Sequence, residues 1–184
     1  NINPFIRQIT DSSMQVCGGE MEKSGNKFYL FFGHNYNGDY LDPSATQEYI
    51  NQIRMFTIAD DGTNISITNY SAVTDSVEFH RRDLTVAPIV NPDGSFSIAA
   101  YAGVFKPNFK PFTHPVYVDS SSVFIDTAYN QVMSLYTCAR VPMYDSTTQN
   151  MYTVFFGGVS TNYYYEATQQ LLYNAKIPFT DDVT

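Results

Sequence analysis

An all-β fold is what this sequence predicts, and three features predict it. Aromatic residues make up 16 % of the chain, with 15 Tyr and 14 Phe, and flat rings pack well on a pleated surface. The apolar runs are strand-sized, such as Phe28 to Phe32, and are bounded by Gly, Pro, Asn and Asp, the chemistry of turns. One pattern, a polar turn followed by an apolar run and a glycine, occurs three times, as an internal repeat would produce.

The repeat runs through the whole chain. Ser24-Gly25-Asn26-Lys27 leads into Phe28 to Gly33, Asn91-Pro92-Asp93-Gly94 into Ser95 to Gly103, and Ser146 to Asn150 into Met151 to Gly158. From Gly33 to Gly103 is 70 positions, and from Gly103 to Gly157 is 54. Each turn has a mechanism. In the second, Pro92 presets φ near −65° and Gly94 tolerates a positive φ. The runs are apolar at nearly every position, which fits strands packed on both faces. Glycine at the end of a run allows the backbone to bend or be approached closely.

On these residues the segments resemble kelch repeats. The run ending in Gly157-Gly158 looks like the kelch double glycine, and Arg82 to Gly103 looks like the two inner strands of a kelch blade. Only the third segment keeps both glycines, the first reading Gly33-His34 and the second Ala102-Gly103, and the chain has no Trp. The resemblance implies a partial β-propeller of four-stranded antiparallel blades, with a β-sandwich as the alternative. It divides a single domain, residues 1–184, into three blades at about 14–75, 76–128 and 129–184. Three blades do not close a ring, since propellers use about four to eight. Further blades, from the same or another chain, are therefore expected to complete it.

The intervening elements follow from local pattern. Asp42 as a cap and Pro43 at the first helical position predict a short helical turn over Leu41 to Gln47. Glu48 to Ile58 reads as an outer strand with Ile53, Met55 and Thr57 on one face. Asp60-Asp61-Gly62 is a turn, and Asn64 to Tyr70 alternates as the next strand. Pro107, Pro111 and Pro115 make Lys106 to Pro115 a loop. Glu166 to Lys176 is assigned to strand by its place in the repeat.

Composition excludes several functions. The 18 acidic against 10 basic residues leave a net charge of −8, which repels phosphate and argues against nucleic acid. No apolar run approaches the roughly 20 residues of a membrane helix. Two cysteines, Cys17 and Cys138, without CxxC spacing, make neither a zinc site nor a disulfide framework; one long-range disulfide or two free thiols remain open. The chain starts at Asn1 without a leader pattern, which is expected of a processed product or a piece of a longer protein. No cofactor is implied.

Candidate ligand-binding residues fall in three places. His80-Arg81-Arg82-Asp83 is the densest polar cluster beside a buried run, readable as a ligand group at a channel mouth or as an inter-blade hydrogen-bonding anchor; the anchor is favoured, with Arg82 and Asp83 largely buried. Tyr36 with Tyr40, and Tyr163-Tyr164-Tyr165, are candidates to stack on sugar rings, against packing between blades. Asn35 to Asp39 has oxygen ligands at alternate positions, but its Gly38 is misplaced for a calcium loop and an Asn-Gly turn is favoured.

Enzyme templates fit poorly. His34, His80 and His114 form no HExxH, and neither GxSxG nor a phosphate loop is present. A glycoside hydrolase would need paired carboxylates, for which Asp83, Glu78 and Asp39 are the candidates. The charge-poor surface rich in Asn, Ser, Thr and Tyr resembles secreted or cell-surface β proteins. Asp75-Ser76-Val77, Asp126-Thr127-Ala128 and Asp145-Ser146-Thr147 resemble O-glycosylation triplets, and Asn64-Ile65-Ser66 and Asn69-Tyr70-Ser71 are N-glycosylation sequons. The sequence thus points to a non-enzymatic extracellular or cell-surface domain that binds protein or glycan through loops. A structural or accessory subunit and a propeller glycoside hydrolase are the alternatives.

Overall fold

A computed structural model describes residues 1–39, 41–108 and 110–184. After two short 3-10 turns, Asn3–Phe5 and Ser12–Met14, the described chain is strand, turn and loop. β1 (Glu20–Ser24) and β2 (Lys27–Phe31) form a hairpin, β3 (His34–Asn37) and β4 (Thr46–Tyr49) a separate two-stranded excursion, and β5 (Gln52–Asp60) and β6 (Ile65–Thr74) complete a first sheet of order β1-β2-β5-β6. β7 (Arg82–Val90), β8 (Phe96–Val104), β9 (Val116–Val118) and β10 (Val123–Ile125) form a second antiparallel sheet in sequence order. β11 (Ala139–Asp145) and β12 (Asn150–Val159) pair with β15 (Phe179–Val183) in a third sheet, and the excursion β13 (Asn162–Tyr165) with β14 (Gln170–Tyr173) lies between them.

The three turn–run–glycine segments occupy β2, β8 and β12, each the second strand of a different antiparallel sheet. Two expectations need correction. The third sheet has three strands rather than four. The glycines also align differently: Phe32-Gly33, Ala102-Gly103 and Gly157-Gly158 are the three pairs of consecutive positive-φ residues among the described residues. Gly33 therefore corresponds to Gly158, not Gly157, and the sequence pattern hid this because Phe32 supplies the first left-handed residue without being glycine.

The repeat extends to the facing strand. Cys17 opposes His34, Arg82 opposes Val104, and Tyr136 opposes Val159. The next residue along, Gly18, Asp83 or Thr137, again has a positive φ. The same bulged backbone thus occurs three times where the first and second strands of each sheet meet. Close approach explains the second glycine: a Cβ at Gly33 would lie 2.5 Å from Val16 Cγ2 and 2.7 Å from the Cys17 carbonyl.

Alternation along the strands separates two cores. Leu84, Val86, Ile98, Ala100, Val116 and Val118 face the first sheet and pack on Tyr29, Phe31 and Ile53. The other face of the second sheet carries Thr85, Ala87, Ala99 and Tyr101; Tyr101 meets Phe155 of the third sheet edge-on at 5.2 Å, and its hydroxyl lies 3.3 Å from Thr153 Oγ1. The second sheet is therefore buried on both sides, as its unbroken apolar run requires. The architecture is all-β, three antiparallel sheets stacked in sequence order, compatible with a sandwich.

Local expectations mostly gave the right element type. Leu41 to Gln47 is the exception. It forms turns and then enters β4, with Asp42 Oδ1 accepting from Ser44 N at 2.8 Å and Ala45 N donating to the Asp42 carbonyl at 3.0 Å. The strand expected over Glu48 to Ile58 divides at Asn51, whose φ is 54°, so that β4 and β5 belong to different sheets. Ile53 and Met55 do share the core face. The described residues of Lys106 to Pro115 form no strand, and the strand expected over Glu166 to Lys176 shortens to β14.

Most of the acidic balance is spent on turns. Asp75, Asp126 and Asp145 each accept from the backbone N–H groups two and three residues ahead. The three Asp-Ser/Thr triplets are therefore Asx turns, which accounts for their residue types in structural terms.

Candidate functional site

The first strands of the three sheets converge. Asp83 N donates to the Gly18 carbonyl at 2.7 Å, joining equivalent positions of neighbouring sheets. Beside it, Glu20 Oε2 accepts from Val86 N at 2.8 Å, while Oε1 is ion-paired with Arg140. One carboxylate thus ties β1 to β7 and to β11. Burial raises the Glu20 pKa, with Arg140 and the Val86 N–H opposing the shift. A cavity of about 450 Å³ opens here, lined by Gly18, Glu20, Asp83, Thr137, Cys138 and Arg140 among others.

All three excursions leave from this end, because each follows the glycine that ends a second strand. They are the β3–β4 hairpin, the loop 105–115 and the β13–β14 hairpin. At the root of the first, buried His34 places Nδ1 2.6 Å from Gln47 Nε2 and 3.3 Å from Arg82 Nη1. A guanidinium only donates, so Nδ1 accepts and His34 is neutral. Burial, followed by the nearby Arg82 charge, lowers its pKa accordingly. Tyr49 packs edge-on to His34 at 5.7 Å and stacks on His80 at 3.9 Å.

The cluster His80 to Asp83 separates by role. Arg81 is fully buried. Its Nε donates to the Glu78 carbonyl at 2.6 Å, Nη1 to the carbonyls of Ala102 and His114, and Nη2 to Glu78 Oε2 at 2.9 Å. The guanidinium lies 4.2 Å from the Phe112 ring centroid and 5.2 Å from that of Phe32. Burial brings its pKa down to about 10, so it stays charged at neutral pH. Arg81 is the anchor between the first two sheets and the loop 105–115. Its neighbours are less enclosed than expected: Arg82 and Asp83 side chains remain 18 % and 29 % exposed, the two 3.4 Å apart. Arg81 precedes β7, and the left-handed backbone of Asp83 interrupts that strand's alternation, so Arg82 and Asp83 lie together rather than on opposite faces. His80 is half-buried, 3.1 Å from Asn51 Oδ1.

The tyrosines also separate. Tyr36 is half-buried in β3, its hydroxyl donating to the Asp39 carbonyl at 3.3 Å. Tyr40 lies outside the described residues. Tyr164 and Tyr165 are 42 % and 47 % exposed and line an open cleft of about 980 Å³ with Glu166, Asp181, Asp182 and Met133. Tyr163 is half-buried beside them in β13 and does not line it. The cleft is braced by Asp182, whose Oδ2 accepts from Tyr164 N at 3.0 Å and from Thr180 Oγ1 at 2.5 Å.

Of the three carboxylates that were candidates for a hydrolase pair, only Asp83 lines the convergent cavity. Glu78 is held by Arg81, with His114 Nδ1 3.5 Å away, and Asp39 caps an exposed turn at Leu41 N. Sequence reasoning missed Glu20 and Arg140, which are 120 positions apart and share no local pattern. It also missed Asp181 and Asp182, whose adjacency was the only signal. Among the described residues no group of three His, Cys, Asp or Glu could hold a metal, and no helix is long and apolar enough to cross a membrane.

No family model matches this sequence, and no curated protein matches it.

Proposed function

We propose that this chain is a kelch-like β-propeller repeat domain, extracellular or at the cell surface, that binds glycan without catalysing a reaction. The cleft of Tyr164, Tyr165, Glu166, Asp181 and Asp182 carries the binding reading. Sugar recognition needs an apolar face for the C–H side of the ring and acceptors for its hydroxyls. Exposed tyrosine rings supply the first, and ionised carboxylates, which only accept, supply the second. The propeller reading is supported by three meander sheets in sequence order, the thrice-repeated left-handed pairs, and excursions that leave from one end. Loops gathered at one end of a rigid scaffold are where binding residues concentrate.

The test is a glycan array with purified protein, followed by calorimetry on the best binder. The pair Tyr164→Ala and Tyr165→Ala should weaken binding by 10-fold or more, at about 1–2 kcal/mol per lost ring contact. Binding of a neutral sugar should not change between about 50 and 500 mM salt, whereas a basic peptide would be lost through screening. An array without binders, or full binding by the double variant, removes the reading.

A further inference from the structure

The excursions of the second and third sheets leave a cleft between them. Its inner part, about 200 Å³, is walled by Val104 and Phe105 where β8 ends, by Pro111, by the bridged pair Tyr136 and Val159, and by Ile177. Its outer part, about 760 Å³, is lined by Lys106, Lys110 and Tyr173 among others. Pro111, Thr161 and Ile177 line both, so the two parts adjoin. The turn that carries the lysines is closed by Lys106 N donating to the Lys110 carbonyl at 2.9 Å, and the Lys106 ammonium lies 5.1 Å from the Phe112 ring centroid. Arg82 adds a third cation at the inner wall, its guanidinium 4.7 Å from the Phe105 ring centroid. Among the described residues neither lysine has an ion pair, and no Asp or Glu lines either part. In a chain of 18 acidic and 10 basic residues this is a local reversal of sign. Charges more than about 8 Å away are largely screened at physiological salt, so the local sign decides what binds here.

We infer that this cleft binds a small aromatic carboxylate, with the ring in the inner part and the carboxylate at Lys106 and Lys110. An apolar cavity of about 150 Å³ accepts a benzene ring, so the inner part takes one ring and little more. Its walls are mostly carbon, which would leave the hydroxyls of a sugar without partners. A few polar groups at the edge of an apolar pocket are what fix a ligand's orientation, and here both charged groups are cations. The inference does not rest on the glycan reading, since the two clefts share no lining residue.

Ligand-observed NMR titration with phenylacetate, phenylpropionate and phenylbutyrate tests it, the series spanning the reach from the inner part to the lysines. The best acid is expected to bind about fivefold or more tightly than the alcohol of the same length. Its affinity should fall between about 50 and 500 mM salt. Lys106→Gln with Lys110→Gln should bring the acid to the level of the alcohol. Lys110→Gln alone, at an exposed position, should give part of that loss at an unchanged melting temperature. Ile177 lines both parts at a φ of 50°, a conformation that asparagine adopts more readily than a β-branched residue. Ile177→Asn should therefore weaken the acid about fivefold or more by removing an apolar wall, without lowering the melting temperature. Tyr164→Ala with Tyr165→Ala should leave acid binding unchanged, which separates this result from the fate of the glycan reading. No binding by any acid of the series, alcohols binding as tightly as acids, or full binding by the double lysine variant would each overturn the inference.

Discussion

Asp83 donates its backbone N–H to the carbonyl of Gly18, and the two residues hold the same place in successive repeats. Both have a positive φ, 53° and 65°, a conformation that turns the backbone amide and carbonyl away from their own ladder and toward the neighbouring sheet. Three sheets meet at one end because each carries the same local departure from strand geometry. Strain of this kind persists only where its surroundings over-determine it.

Gly33→Ala is expected to be severely destabilising, by about 3 kcal/mol or more, from left-handed strain plus overpacking. Its new Cβ would meet Val16 and the Cys17 carbonyl well inside contact distance. Gly62, at φ 88° with nothing within 4 Å of a built Cβ, provides the comparison. Gly62→Ala carries strain alone and should cost only about 1 kcal/mol. Urea unfolding of both variants measures the difference, and equal losses would contradict the close-approach argument.

Arg81→Met should lower stability by about 3–5 kcal/mol, because it leaves the Glu78 carboxylate and the carbonyls of Glu78, Ala102 and His114 without their buried cation. Glycan binding by the folded fraction should be retained. A variant that melts like wild type but loses ligand would return Arg81 to the binding site.

Acid should unfold the protein through its turns. The carboxyls of Asp11, Asp42, Asp60, Asp61, Asp93, Asp119 and Asp145 are held below their usual range by hydrogen bonds from nearby residues, Asp119 at about 2 with Ser121 N–H the largest cause. A depressed folded pKa contributes stability above the unfolded value, near 3.8, that is lost as pH falls toward the folded one. Glu20 works in the opposite sense, since burial raises its pKa and protonation favours the folded state. Melting temperature should therefore hold to about pH 4 and fall steeply between about 4 and 2. Asp119→Ala should start lower and fall less over that window, as circular dichroism melts at successive pH values would show.

The two thiols should differ in reactivity. Cys17 is exposed, whereas Cys138 is half-buried, donates to the Leu135 carbonyl at 3.2 Å and has its pKa raised by burial. Thiolate is the reacting species, so iodoacetamide at pH 7.5 should label Cys17 first and Cys138 more slowly. Peptide mass mapping reads the order, and equal labelling would contradict the packing around Cys138.

Much of the fold was legible along the chain. Asn91 to Gly94 and Ser24 to Lys27 make hairpins because a turn's chemistry is contained in four residues. The runs after them make strands because alternation and apolar content are local properties. Tyr164 and Tyr165 stood out as adjacent aromatics, and Arg81 as a charge beside a buried run. What tertiary structure alone decided depends on residues far apart in sequence. Phe32 takes a left-handed conformation that its side chain does not advertise, since backbone geometry there is imposed by the neighbouring strand. Glu20 gained its role from Val86 and Arg140, and Arg81 rather than Arg82 became the anchor because the carbonyls of Ala102 and His114 and the Glu78 carboxylate converge on it. Local chemistry determined where this chain turns and extends; the stacking of sheets determined which polar groups became structure and which were left facing a cleft.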